Sequence, residues 1–169
     1  MKILLKAKSG IVFTYMIVAT VMFRFQIENE LDITLVLNII GLLIYMIYPL
    51  TVGLFLLDYL PQKIELNYHL FILNSFVWFI TYIVIIFISD NEGMRFSGFS
   101  ALPFFYVFYA YLDFLAFPVR VLKSIELGRK AKTGDYLGDF FLMLFFPVGI
   151  WILQPRIRKI VGPDKVDSQ

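Results

Sequence analysis

The sequence predicts an all-α fold: a polytopic integral membrane four-helix bundle with a fifth, short apolar segment that is either re-entrant or interfacial. Composition is the first observation. Of the 169 residues, 60% are hydrophobic and only 17% charged, whereas an ordinary soluble domain is about half apolar and about a quarter charged. Aromatic content is the second. The 19 Phe and 10 Tyr exceed what one small water-soluble core can hold, because a domain of this size still exposes roughly a third of its unfolded surface. Lipid must act as a second solvent. The third is length: several apolar stretches approach or exceed the roughly 20 residues that cross a hydrocarbon core of about 30 Å as a helix. The chain reads as a single transmembrane domain (1–169), since its connections are too short to fold independently.

The first span, 11–27, follows Lys2, Lys6 and Lys8 and carries Arg24 near its far end. A basic start before an apolar stretch has the outline of a secretory signal, but no small-residue cleavage site accompanies it, so a retained anchor is expected. Arg24 can snorkel to the interface along its aliphatic stem. The second span, 33–57, is long enough to tilt, and Pro49 removes one backbone hydrogen bond and favours a kink. The third, 68–88, is the most uniformly apolar, with Asn74, Ser75 and Thr81 as its notable polar residues. The fourth, 99–122, holds Pro103, Asp113 and Pro118. Val119, Leu122 and Ile125 continue its helical stripe until Gly128 can cap it, after which Thr133 or Asp135 can open the next helix. The fifth segment, 140–153, rises only about 21 Å as a helix and is interrupted by Pro147 and Gly149. It is expected to re-enter the membrane or lie along it, with a thin, kinked crossing as the alternative.

Charge placement supports an even number of crossings. With the amino terminus in the cytoplasm of a bacterial inner membrane, four crossings and a returning fifth segment leave every basic residue inside except Arg24 and Arg95. A true fifth crossing would export Arg156, Arg158, Lys159 and Lys165.

Candidate functional residues fall into two sets. Asp113 is the intramembrane carboxylate, and such a group costs about 2.5 to 3.5 kcal/mol on insertion scales unless it is protonated or paired. Tyr109, one turn earlier, is placed to donate its hydroxyl. Asp113 is either a proton or cation site or a structural carboxyl, and the lack of a second acid at depth favours the structural role. Asn38 shares a stripe with Gly41, Tyr45 and Pro49, and Asn74 one with Trp78 and Thr81, as expected for hydrogen bonding and close approach between helices. The second set is a basic inner face of Arg120, Lys123, Arg129, Lys130, Lys132, Arg156, Arg158 and Lys159. It serves first as a topology determinant, and then as a docking face for a cytoplasmic partner or for anionic headgroups, at about 1 kcal/mol per basic residue near the surface.

Other chemistry is poorly represented. With no Cys and His69 alone, neither a metal nor a cofactor is expected. Gly134 and Gly138 lack the Gly-Lys-Ser/Thr ending of a phosphate-binding loop, and without a folded reader domain nucleic acid is not an expected partner. The reading that follows is a small non-catalytic membrane subunit, an anchor or sensor. It would oligomerise with itself, join a membrane complex, or recruit a cytoplasmic partner or anionic lipid. An oligomeric channel or small transporter using Asp113 is the alternative. An interfacial lipid-modifying enzyme using His69 with Asp58, Glu65 or Asp135 is the least supported.

Overall fold

In lipid the backbone of an apolar stretch has no water to bond, so helix formation is the local solution that satisfies it. The computed structural model describes residues 2–27, 30–89 and 101–162, and no strand occurs among them. The helices are α1 (Lys2–Lys6), α2 (Ser9–Arg24), α3 (Leu31–Phe55), α4 (His69–Ser89), α5 (Leu102–Leu127), α6 (Thr133–Leu144) and α7 (Phe146–Val161), with a 3-10 turn at Leu56–Tyr59 extending α3. Arg95 and Lys165, and positions 99 and 100 of the expected fourth span, lie outside the described residues.

Three helical stretches are long and apolar enough to cross a membrane: Asp32–Tyr59 with 28 residues, His69–Ile88 with 20 and Leu102–Leu127 with 26. They correspond to the second, third and fourth expected spans, and α3 and α5 run through Pro49 and Pro118 without a break. Their outward faces are apolar stripes at helical spacing. Ile33, Val36, Ile40, Leu43 and Ile47 are exposed along α3, and Leu73, Phe76, Ile80, Val84 and Phe87 along α4, which suits lipid and would be a liability in water. The first expected span is occupied by a shorter apolar helix. α2 has 16 residues, about 24 Å of helix, and both Lys8 before it and Phe25 after it are extended. α1 lies on the other side of that break, and α1 and α2 both pack against α3.

Side-chain contacts set the directions of the helices. Tyr15 donates its hydroxyl to the Ile44 carbonyl at 2.6 Å and Gly41 lies on the backbone of Phe23, so α2 and α3 are antiparallel. Glycine is required at 41, because a Cβ there would overlap the Phe23 nitrogen. Phe71 stacks on Phe117 at 4.5 Å and Trp78 on Phe114 at 5.4 Å, which makes α4 and α5 antiparallel. Gly53 sits against both Phe71 and Pro118, and Tyr45 faces both Trp78 and Tyr111, so α3 runs parallel to α5. Tyr48, Phe71 and Phe114 are the bulkiest fully buried side chains of the core between these helices.

Residues 140–153 do not form one helix. Phe145, at φ −90° and ψ 57°, separates α6 from α7, and proline stands in the first turn of α7, where its missing N–H leaves nothing unsatisfied. Beyond the turn Gly149 lies so close to Leu142 that a Cβ would overlap the Leu142 carbonyl, and Asp139 meets Arg156 further along. The two helices are thus an antiparallel hairpin. Its turn lies at mid-height in the bundle, where the Phe146 ring is 5.9 Å from Tyr45 and 5.3 Å from Tyr48. Its open end gathers α1, the last turn of α5 and the 60–68 connection. Most of the chain's lysines and arginines collect there, at what is here termed the basic end.

Candidate functional site

Two of the expected polar residues of the apolar helices, Asn74 and Asp113, are linked in a chain with Tyr106. Tyr106 donates to Asn74 Oδ1 at 3.0 Å, and Asn74 Nδ2 donates to Asp113 Oδ2 at 2.8 Å. Asn74 is completely buried, and its carboxamide joins α4 to α5. The expected partner, Tyr109, is not the donor: it is half exposed and its ring lies 6.2 Å from that of Tyr106. Helical side chains lean toward the amino terminus, so the Tyr109 ring is carried toward Tyr106 and away from Asp113. Together the three groups tie α5 to α4.

Asn38 also bonds between helices, from α3 to the end of α2. One side of its carboxamide faces carbonyls and the other faces donors, an environment that orients the amide nitrogen toward the carbonyls. The nitrogen donates to Met22 O at 3.0 Å, Phe23 O at 2.9 Å and Phe25 O at 3.1 Å, so Asn38 caps the end of α2. Gln154, which the sequence presents merely as a flank of the apolar segment, does the same for α1. Its Nε2 donates to the carbonyls of Leu4, Leu5 and Ala7 at 2.9, 3.2 and 3.0 Å, while Oε1 accepts the Tyr48 hydroxyl at 2.7 Å.

At the basic end the eight expected cations separate into two groups. Arg156 is held by two carboxylates: Nε and Nη2 bond Glu126 at 2.7 and 2.6 Å, and Nη1 and Nη2 bond Asp139 at 2.6 and 2.8 Å. Lys123 stands 3.7 Å from the same two carboxylates. Burial tends to raise the Asp139 carboxyl, but the Arg156 hydrogen bonds and charge outweigh it and hold the group below its ordinary value. Arg129 grips Asp135 with bonds of 2.8 and 3.0 Å, and Asp135 also accepts the Lys132 backbone N–H at 2.8 Å, opening α6 as expected. Lys123, Arg129 and Arg156 therefore tie α5, its following connection, α6 and α7 together. Arg158, Lys159, Lys130 and Lys132 are exposed, and Arg120 is half-buried.

The connection between α5 and α6 brings three of these cations together. Gly128 ends α5 in the left-handed conformation at φ 63°, the capping role expected from sequence. Ser124 then accepts the Ala131 N–H at 3.0 Å while donating to the Arg120 carbonyl at 2.7 Å. The returning chain forms, with Arg120, Lys130, Lys132, Thr133 and Tyr136, a groove of about 450 Å³ whose lining has no carboxylate among the described residues. Arg120 Nε is buried and has no hydrogen-bond partner among the described residues, an arrangement a charged donor rarely keeps. An anion in the groove would meet three cationic side chains and two hydroxyls.

His69 and Glu65 line a neighbouring groove of about 570 Å³ with Lys130, and Asp58 is not part of it. Asp135 is committed to Arg129. Asn67 accepts the His69 backbone N–H at 3.0 Å and so caps α4, while the imidazole lies 4.4 Å from the Tyr68 ring. No group of three or more metal-ligating side chains occurs among the described residues. No family model, curated protein or solved structure matches the chain.

Proposed function

We propose that the chain is a small non-catalytic subunit of a bacterial-type inner membrane, an anchor or sensor that holds anionic lipid headgroups at its basic end. It crosses the bilayer four times with its amino terminus in the cytoplasm, α1 and α2 together making the first crossing, and dips the α6–α7 hairpin back from the cytoplasmic side. The reversal at Phe145 and the excess of lysine and arginine at one end support this topology. Single cysteines at Lys132 and Lys159, in a chain that has none of its own, should both react with an impermeant maleimide from the cytoplasmic side. Labelling from opposite sides would make α7 a crossing.

The observation that carries the binding reading is the groove in which Arg120, Lys130 and Lys132 converge without a carboxylate. Paired cations contribute little net attraction at a distance, so among the eight expected cations recruitment falls to these three, with the exposed Arg158 and Lys159 adding to the general attraction of the basic end. The test is mass spectrometry of the protein released from native-lipid particles and stripped of lipid in steps. Phosphatidylglycerol or cardiolipin should remain after phosphatidylethanolamine has gone. At about 1 kcal/mol per basic residue, the Lys130→Gln/Lys132→Gln variant should lose about thirtyfold in that retention. Equal retention by the variant would overturn the reading. A stoichiometric acidic protein held by the same lysines would replace lipid with a partner.

A further inference from the structure

We propose that the cavity above the hairpin turn binds a small anionic amphiphile, with its acidic head on Arg24 and its apolar body against aromatic rings. The cavity holds about 440 Å³ and is lined by Arg24, Tyr45, Trp78, Tyr82, Tyr111 and Phe146 among others, within the range of about 300 to 1,000 Å³ usual for small-molecule sites. It shares no residue with the basic groove, so it stands or falls independently of the headgroup reading.

The geometry arises because the hairpin turns at mid-height. The Phe146 ring forms one side, and the partly open space beyond it is lined by side chains of α2, α3, α4 and α5. Trp78 is the hub, with ring centroids 5.1 Å from Tyr111, 6.1 Å from Tyr82 and 6.4 Å from Tyr45. Ring faces of this kind accept an apolar chain or a flat ring. The Tyr45 and Tyr111 hydroxyls are 3.5 Å apart, at the outer limit of a hydrogen bond, so each retains capacity for a ligand oxygen.

Charge selects the ligand class. A ring of tyrosines and a tryptophan can also hold a quaternary ammonium, but among the described residues Arg24 is the only ionisable group in the lining apart from the tyrosines and repels one. A guanidinium instead takes a carboxylate or phosphate through paired N–H donors. Glu30 and Asp32, at the same end of the molecule, are exposed and stand outside the lining, where solvent and salt screen them. A mostly aromatic cavity with one cation therefore fits a molecule with one acidic end and an apolar remainder.

The two tryptophans of the chain make the test specific. Trp151 lies against Phe13 at 5.8 Å and is not in the lining, so Trp151→Phe leaves Trp78 as the reporter. The protein is placed in phosphatidylcholine nanodiscs and titrated with brominated dodecanoate, whose bromine quenches nearby indole. Quenching of Trp78 should saturate, and Arg24→Gln should weaken the half-saturation point at least tenfold, with Arg24→Lys recovering part of the loss. The Trp78→Phe protein, reporting through Trp151, should show only the linear quenching of a probe dissolved in the bilayer. Quenching of Trp78 that never saturates, or that ignores Arg24→Gln in a variant of unchanged helical content, would overturn the site. Equal affinity for brominated dodecanol would overturn the anionic class.

Discussion

Gln154 and Asn38 make the same bonds at opposite ends of the bundle. Each buried carboxamide, 0% and 4% exposed respectively, delivers its N–H groups to three carbonyls at the end of a helix. Such carbonyls have no partner within their own helix and little water to turn to inside an apolar bundle. The difference lies in reach. Asn38 caps the helix immediately before its own, within one hairpin of chain. Gln154 caps α1 from about 150 residues away, and through Tyr48 it also fastens α3. The first amide finishes a local structure, whereas the second holds the two ends of the sequence together.

The comparison can be broken at either amide, and the larger effect should come from Gln154. Gln154→Leu keeps the volume and removes every bond to α1 and Tyr48. Buried groups left without a partner cost about 1 to 3 kcal/mol each, so a loss of about 3 kcal/mol is expected after partial hydration at the basic end. Hydrogen exchange of the protein in nanodiscs should show the α1 amides losing protection while those of α2 keep theirs. Unchanged protection in α1 would mean that water satisfies those carbonyls and that the amide is incidental. Asn38→Leu should cost less, about 1 to 2 kcal/mol, because Phe25 is exposed and water can reach that end. Here the change in exchange should be confined to the last turn of α2. Spread into α3 would show that Asn38 holds two helices rather than capping one.

Much of this was legible from residue type and spacing. Length and hydropathy identify the three long helices, and Gly128 and Asp135 sit where helix-end chemistry needs a left-handed residue and a side-chain acceptor. Asn38, Gly41 and Asn74 stand out as polar or small residues in apolar stretches, which marks them for contact between helices. Their partners were not legible. Tyr109 stands one turn from Asp113 and Tyr106 two, yet the bond runs through Asn74 to Tyr106 because α4 supplies the bridge. Arg156 reads as one more cation in a basic tail, and its two carboxylates are 17 and 30 residues away. The one available signal was the flanking of a short apolar segment by Asp139 and Arg156, which pairs them if the segment reverses.

By itself the sequence determined that the chain would be helical, with stretches long and apolar enough to cross a membrane, because in lipid such stretches leave the backbone no other way to satisfy its polar groups. It also determined the polarity of charge along the chain, since that is a matter of order alone. Only the tertiary structure decided which charges remain available and which are consumed in pairs. It decided as well that 140–153 turns at Phe145, where the contact of Gly149 with Leu142 brings α7 back along α6. Close approach, long-range capping and ion pairing depend on distances between helices, and no local pattern of residues specifies those distances.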